Sequence, residues 1–164
     1  MPPDLTEQIA IGNALSHDGK TQEAAAHFLN LLRDHSQNAE LYFELGGVYD
    51  YAGFEAKALP QYRRALELGL PPELERRCTV QLGSSLRNVE QHKEAVELLQ
   101  NAVNKNPDYL PLKIFLALAL HSADQSQAAL VLLLDVLQAD PAQLDGYQRA
   151  VKYYVDELRG TAQE

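Results

Sequence analysis

The stretch LGGVYDYAGFEAKALPQY, residues 45–62, decides the fold. Its apolar residues recur at helical spacing on both sides of Ala52-Gly53-Phe54, a tight turn in which glycine can take a positive φ. Its landmarks are a glycine, an alanine twelve residues later and an aromatic residue four residues after that. The same landmarks fall at Gly12, Ala24 and Phe28 and at Gly46, Ala58 and Tyr62. They fall again at Gly83, Ala95 and Leu99, where leucine replaces the aromatic residue. The pattern predicts pairs of helices joined by a turn.

The pattern repeats with a period of 34 residues. Gly12 and Gly46 are 34 residues apart, whereas Gly46 and Gly83 are 37 apart because three residues are inserted around Pro71-Pro72-Glu73. A small residue is needed at Gly46 because the paired helices approach each other closely there. Such a period indicates stacked supersecondary units that bury a shared core.

A fourth unit and a terminal helix complete the array. Pro107 and Pro141 are again 34 residues apart, and counting back from Pro141 gives a unit with Ala117 in place of the glycine. We predict repeats at 5–38, 39–72, 76–109 and 110–143. Beyond them, apolar residues on one helical face predict a capping helix at 144–159: Tyr147, Val151, Tyr154, Val155 and Leu158. Residues 1–159 are therefore expected to form a single all-α domain, followed by a flexible tail at 160–164.

This pattern resembles the tetratricopeptide repeat (TPR), and the resemblance covers nearly the whole chain. It implies an α-α superhelix, or solenoid, of four TPR helix pairs plus the C-terminal capping helix. The tryptophan often found at the fourth position of a repeat is absent, and Tyr42, Thr79 and Lys113 stand there instead. The run at residues 58–99 is also similar to short stand-alone bacterial TPR proteins of unassigned function.

Net charge and composition limit the ligands that the protein is expected to bind and its expected location. The formal net charge is −9, so a phosphate backbone would be repelled and nucleic acid is not expected as a ligand. No apolar run is long enough for a membrane span, and the N-terminus lacks the basic and apolar segments of a signal peptide. We therefore expect a cytoplasmic protein that does not bind membranes.

No motif in the sequence indicates catalysis, a cofactor or a metal. The five histidines are scattered, and the phosphate-loop, dinucleotide-binding and metalloprotease patterns are absent. Cys78, the single cysteine, is expected to be a small buried residue. The alternative is a reactive thiol whose pKa is lowered by Arg76 and Arg77. We therefore predict a protein that is not an enzyme.

The TPR resemblance implies that the first helix of each repeat lines a concave groove. Carried onto this chain, the family's contact positions give these candidate protein-binding residues: Asn13, His17, Phe43, Asp50, Tyr51, Arg77, Val80, Ser84, Arg87, Ile114, Leu118 and His121. Apolar anchors next to Arg77 and Arg87 suggest a peptide with a hydrophobic residue and an acid.

One family binding mode does not fit the sequence. Chaperone-binding TPR proteins hold a C-terminal carboxylate with lysine, asparagine, asparagine, lysine and arginine. The corresponding residues here are Ile9, Asn13, Glu44, Arg77 and Gln81. Only Asn13 matches, and Glu44 would repel a carboxylate.

The second helix of the fourth repeat, AALVLLLDVL, is unusually apolar. Ala129, Leu130, Leu133, Val136 and Leu137 occupy positions expected to be buried. The additional aliphatic residues Val131, Leu132 and Leu134 form a candidate self-association face, because soluble monomers usually avoid a large apolar patch. Its cover could be the terminal helix, a second copy or another protein.

These observations favour a non-enzymatic scaffold that binds a peptide segment of a partner protein in its groove and forms a homodimer. Two alternatives remain open: a structural homodimer without a groove ligand, and a small acidic chaperone that holds a secretion substrate.

Overall fold

Nine α-helices run through residues 4–140 and 147–160, the part of the chain that the structure, a computed structural model, describes. The described residues contain no strand, so the predicted all-α class is confirmed. The chain divides into two compact units, Met1–Gln91 and His92–Glu164. The first contains α1 (Leu5–His17), α2 (Thr21–Asp34), α3 (Ala39–Tyr51), α4 (Glu55–Leu68) and α5 (Pro72–Asn88). The second contains α6 (His92–Lys105), α7 (Leu110–Ser122), α8 (Ser126–Gln138) and α9 (Gln148–Leu158).

One residue with positive φ follows the first helix of every repeat. Gly19 and Gly53 both have a φ of 75°. Glu90 and Asp124 take the equivalent places with φ values of 64° and 60°, so the turn geometry persists where glycine does not. This conformation is unfavourable for a residue with a Cβ atom, more for glutamate than for aspartate.

The three-residue insertion lengthens α5. This helix has 17 residues and begins at Pro72, four residues before the expected repeat start at Arg76. Proline suits the first helical position because the N–H that it lacks would have no partner there. Glu73 and Glu75 lie in the same turn, where their negative charge is favoured by the helix dipole.

The repeated glycine and aromatic pack directly against each other within a repeat. A Cβ atom on Gly12 would lie 2.5 Å from Cζ of Phe28, and one on Gly46 would lie 2.5 Å from Cε1 of Tyr62. The two helices of a repeat can therefore approach only because the glycine lacks a side chain. In the first unit, Phe28 also belongs to a buried cluster with Leu41 and Leu45 of α3.

The second unit departs from the expected burial along α8. Ala129 is buried, but Leu130, Leu133 and Leu137 are 46%, 39% and 46% exposed, so the prediction that these leucines would be buried is wrong. The reason is that the end of α9 lies on a different face of α8, beside Val131 and Leu132. Val155 is the only residue of α9 that is fully buried. The first residues of the predicted capping helix, 144–146, and most of the predicted tail, 161–164, lie outside the described residues.

Candidate functional site

A polar cleft of about 580 Å³ opens in the first unit between α1, α3, α4 and α5. It brings together six of the predicted groove residues: Asn13, His17, Phe43, Asp50, Tyr51 and Arg77. Its remaining lining residues are Ser16, Glu44, Gly47, Val48, Glu55, Tyr62, Gln81 and Asn88. Three carboxylates therefore face this cleft against a single guanidinium.

The other predicted groove residues lie elsewhere. Val80 is buried at 8% exposure, and neither Ser84 nor Arg87 lines the cleft. On α7 in the second unit, Ile114 and Leu118 are 40% and 41% exposed. On the same helix, His121 is exposed and its Nδ1 lies 2.9 Å from the hydroxyl of Ser126.

Glu44 is a half-buried acid in the cleft wall. Burial raises the pKa of its carboxyl group, and the neighbouring Glu40 adds to this effect. A hydrogen bond from the Asn13 side chain and the positive charge of Arg77 act in the opposite direction. Glu44 is thus a partly desolvated carboxylate that lacks full compensation, so a cation in the cleft would stabilise its ionised form.

Asp50 joins three helices of the first unit. The Tyr62 hydroxyl of α4 donates a hydrogen bond of 3.1 Å to its Oδ2, and the Ser85 hydroxyl of α5 donates one of 3.0 Å to its Oδ1. Burial raises the pKa of Asp50 despite both bonds, with a further contribution from Glu55. Burial and the adjacent Asp50 charge also raise the pKa of Tyr62, so its phenol stays protonated and acts as the donor.

Aromatic rings form the remaining walls of the cleft. His17 stacks on Tyr51 with ring centroids 6.1 Å apart and an interplanar angle of 15°. Tyr51 is 73% exposed, so much of its ring remains available to a ligand. The Arg77 guanidinium lies 5.7 Å from the ring centroid of Phe43, an arrangement that holds this cation at the cleft edge.

Glu55 and Gln81 line the cleft although neither belongs to the predicted groove set. Gln81 and Glu44 had a signal in the sequence, because both fall at positions of the chaperone-type carboxylate site. Glu55 had no such signal in the sequence, because its partner is distant along the chain. The side-chain amide of Asn88, 33 residues away, donates a 3.3 Å hydrogen bond to it. The Gln81 Oε1 atom is buried and accepts no hydrogen bond from the described residues.

Cys78 is a buried residue at the interface of α4 and α5. Burial, with a smaller contribution from Glu75, raises the pKa of its thiol to about 12, and its Sγ lies 3.6 Å from the carbonyl oxygen of Tyr62. A thiol that stays protonated is a poor nucleophile. The structure therefore favours the small buried residue over the reactive thiol.

The described residues contain neither a group of candidate metal ligands nor a candidate membrane-spanning helix. No group of three or more histidine, cysteine or acidic side chains is arranged to hold a metal ion there. No helix in residues 4–140 and 147–160 is long and apolar enough to cross a membrane.

The second unit contains a larger cleft of about 760 Å³ beside α8 and α9. Val131 and Leu132 line it together with Leu158 and Arg159 from the end of α9. Val131, Leu132 and Leu134, the predicted self-association face, are all half-buried. The terminal helix thus lies beside part of this face.

Comparison with known families identifies the repeat. A family model described as "Tetratrico peptide repeat" matches residues 39–158, which is more than half of the chain. The chain is a member of the TPR family. Members of this family are typically non-enzymatic scaffolds for protein interactions. No curated protein sequence matches this TPR protein significantly.

Solved structures agree with the family assignment. This TPR protein is similar to YrrB, described as a TPR protein with an unusual peptide-binding site, with 25% identity, a TM-score of 0.67 and coverage of 97% of this chain and 81% of YrrB. It is also similar in fold to nearly identical TPR-like repeats from Podosopora anserina (19% identity, TM-score 0.73, coverage 95% and 86%). The same holds for a MamA RS-1 double mutant (18% identity, TM-score 0.67, coverage 95% and 94%).

Proposed function

We propose that this TPR protein is a scaffold whose first unit binds a peptide segment of a partner protein, with a basic side chain placed in the cleft. The observation that carries the proposal is the excess of carboxylates in the cleft, where Glu44, Asp50 and Glu55 face Arg77 alone among the charged side chains. The peptide-binding site of the similar YrrB structure supports a peptide as the class of ligand.

The electrostatics favour a cationic ligand over the acidic peptide expected from the sequence. That expectation rested on two arginines, but Arg87 does not line the cleft. Arg77 lies against the Phe43 ring and is attracted by Glu44. A ligand carboxylate would therefore meet three like charges and one cation that is already engaged.

The aromatic wall suits the flanking part of such a peptide. Tyr51 is exposed and stacks on His17, so its outer face can take the aliphatic stem or the charged head of a lysine or arginine. Glu44 then lies on the same helix as Tyr51 and offers the counter-charge. The aliphatic stem and the charged head of one basic residue would thus each have a separate binding site in the cleft.

The test is a titration of the isotopically labelled chain with three pools of short peptides. The peptides have blocked ends and differ only at the central residue, which is lysine, glutamate or leucine. We expect the lysine pool to shift the amide signals of Asn13 and Gly47 most strongly. Glu44→Gln should weaken its binding roughly two- to fivefold, the range of a partly screened charge pair.

Glu23→Gln is the matched control, because Glu23 is an exposed acid on α2 of the same unit and does not line the cleft. It should leave the affinity unchanged. Equal or tighter binding of the glutamate pool would contradict the preference for a basic residue. If no pool shifts the cleft amides, the proposed peptide site is wrong.

We also propose that the chain forms a homodimer through its second unit. This is supported by the large apolar side chains that α8 and α9 leave exposed. Sedimentation equilibrium over a range of concentrations should give a limiting mass of twice the 18.3 kDa chain. A mass that stays at that of one chain at all concentrations would contradict self-association.

A further inference from the structure

Three leucines form an exposed stripe along α8. Leu130, Leu133 and Leu137 are spaced at i, i+3 and i+7, so they lie on one helical face, and each is 39–46% exposed. We call this stripe the stacking face of the fourth repeat, because the equivalent residues of the first repeat pack against the following helix, α3.

The equivalent positions of the first repeat are covered by the following helix. Counted from the repeat alanine, they are Ala25, Phe28 and Leu32, and all three are at most 8% exposed. They share one buried cluster with apolar residues of α3 at positions i, i+4 and i+7: Leu41, Leu45 and Val48. A stacking face is therefore a site for an amphipathic helix with this spacing.

The chain's own α9 does not occupy the stacking face of α8. Its last turn lies beside Val131 and Leu132, and Arg159 pairs with Asp135 on the same side. Val155 is its only fully buried residue. The leucines of the stripe, on a different face of α8, therefore remain 39–46% exposed.

At the same time, α9 and its N-cap residue Tyr147 carry an exposed apolar face of the required kind. Tyr147, Val151 and Tyr154 are spaced at i, i+4 and i+7, the spacing of the α3 residues that cover the first repeat's stacking face. Tyr147 is 69% exposed, Tyr154 is 59% exposed and Val151 is half-buried. One chain thus presents both an unoccupied helix site and an unpartnered helix face.

We propose that two copies exchange these surfaces, so that α9 of each copy packs on the stacking face of the other. The inference rests on the proposed self-association and specifies its interface. A two-fold axis makes the exchange reciprocal, and each copy then contributes both surfaces. No foreign helix is required to explain either one.

Charge and area both favour a second copy as the occupant. Asp135 is the only charged residue of α8 and is paired with Arg159, so the helix offers no free charge that would select a foreign partner. The exposed parts of the two tyrosines and three leucines supply on the order of 500 Å² per copy. With all of that area covered, the pair would bury roughly 1,000 Å² in total, about the minimum expected of a biological interface.

The test compares the dimer dissociation constants of the full chain and two variants by sedimentation equilibrium. Leu133→Asp places a charge on the stacking face, and Tyr154→Asp places one on the exposed face of α9. Each should weaken the dimer by more than about tenfold, since a buried uncompensated charge is strongly unfavourable. An equimolar mixture of the two variants keeps one of the two contacts intact. It should therefore dimerise more tightly than either variant alone.

Leu29→Asp is the matched control, because Leu29 is a 49% exposed leucine on α2 of the first unit and lies outside both surfaces. It should not change the dissociation constant. Circular dichroism checks that each variant keeps its helix content. As a second measurement that avoids a buried charge, Leu133→Cys and Tyr154→Cys copies are mixed under oxidising conditions. They should form a disulfide-linked pair more readily than either copy alone.

The outcomes separate the inference from self-association itself. A wild-type chain that stays monomeric overturns both. A wild-type dimer that neither charged variant weakens overturns the exchange but leaves self-association standing. If only Leu133→Asp weakens the dimer and the mixture is not rescued, α9 is not the occupant and the exchange is wrong.

Discussion

Gly46 and Tyr62 are in direct contact across the second repeat: a Cβ atom on Gly46 would lie 2.5 Å from Cε1 and 2.6 Å from Cδ1 of the Tyr62 ring. Tyr62 is fully buried and its hydroxyl is hydrogen-bonded to Asp50, so the ring has little freedom to move away. The contact explains why the glycine and the aromatic occur together in the repeat pattern.

We expect Gly46→Ala to destabilise the chain by about 1–3 kcal/mol, the usual range for overpacking. An alanine in an exposed helix interior would instead be more stable than glycine by about 1 kcal/mol. Gly47→Ala provides that control, because a Cβ atom there meets nothing within 4 Å. Urea unfolding should therefore give opposite signs for two adjacent substitutions, and equal signs would contradict the packing account.

The hydrogen bond between Tyr62 and Asp50 gives a second prediction. Tyr62→Phe leaves the half-buried Asp50 carboxylate with one donor fewer and should lower the free energy of unfolding by about 1–3 kcal/mol. Tyr42→Phe is the matched control, since the Tyr42 hydroxyl donates a 3.3 Å hydrogen bond to the backbone carbonyl oxygen of Ser36 in an exposed setting. The control should have a clearly smaller effect in the same unfolding experiment.

Stability should depend on pH through Glu44. Its pKa in the folded chain lies above its ordinary value of 4.5, mainly because of burial, so the folded state binds the proton more tightly than the unfolded state. The free energy of unfolding contributed by this group therefore falls as the pH rises from about 4.5 through the raised pKa.

Glu44→Gln should remove this contribution and be more stable than the wild type at neutral pH. The difference between the two chains should shrink as the pH is lowered, in unfolding curves recorded at several pH values. The same variant is expected to bind basic peptides more weakly. Greater stability combined with weaker binding is characteristic of a group that is kept for function. A Glu44→Gln variant that is less stable than the wild type at neutral pH would argue against desolvation as the dominant effect on the Glu44 pKa.

The turns with positive φ give a further prediction, which concerns three substitutions. Glu90→Gly should stabilise the chain by about 0.5–1 kcal/mol, because relief of the left-handed strain exceeds the added chain entropy of glycine. Asp124→Gly should have a smaller effect, since aspartate tolerates this conformation better. Gly53→Ala, the reverse change at an equivalent turn, should destabilise. Thermal unfolding of the three variants would show whether this order holds.

The two faces of α8 can be separated by mutation. Val131 lies in the cleft beside the end of α9, so Val131→Glu should loosen α9 and speed amide exchange over residues 148–158. Leu130 is exposed on the stacking face, and Leu130→Glu should leave that exchange unchanged in a sample dilute enough to be monomeric. Equal exchange in both variants would mean that Val131 does not support α9.

Most of the helix-pair architecture could be predicted from the sequence, whereas only part of the site could. Six predicted groove residues do lie around one cleft, because the repeat period carries a family position onto the same helical face each time. Val80 does not line this cleft, although Phe43, at the equivalent position of the second repeat, does. Position counting assigns both residues to the same helical face but does not give the side chains of other helices that enclose the cleft.

The sequence by itself determined the elements that depend on local spacing: the paired helices, their turns and the small residue where the two helices of a repeat approach closely. These features recur along the chain because they depend on residues that are close together in the sequence. Only the tertiary structure decided the charge of the cleft and the exposed face of α8. Both depend on side chains from separate helices, and α9 lacks the repeat landmarks that would place it on the stacking face.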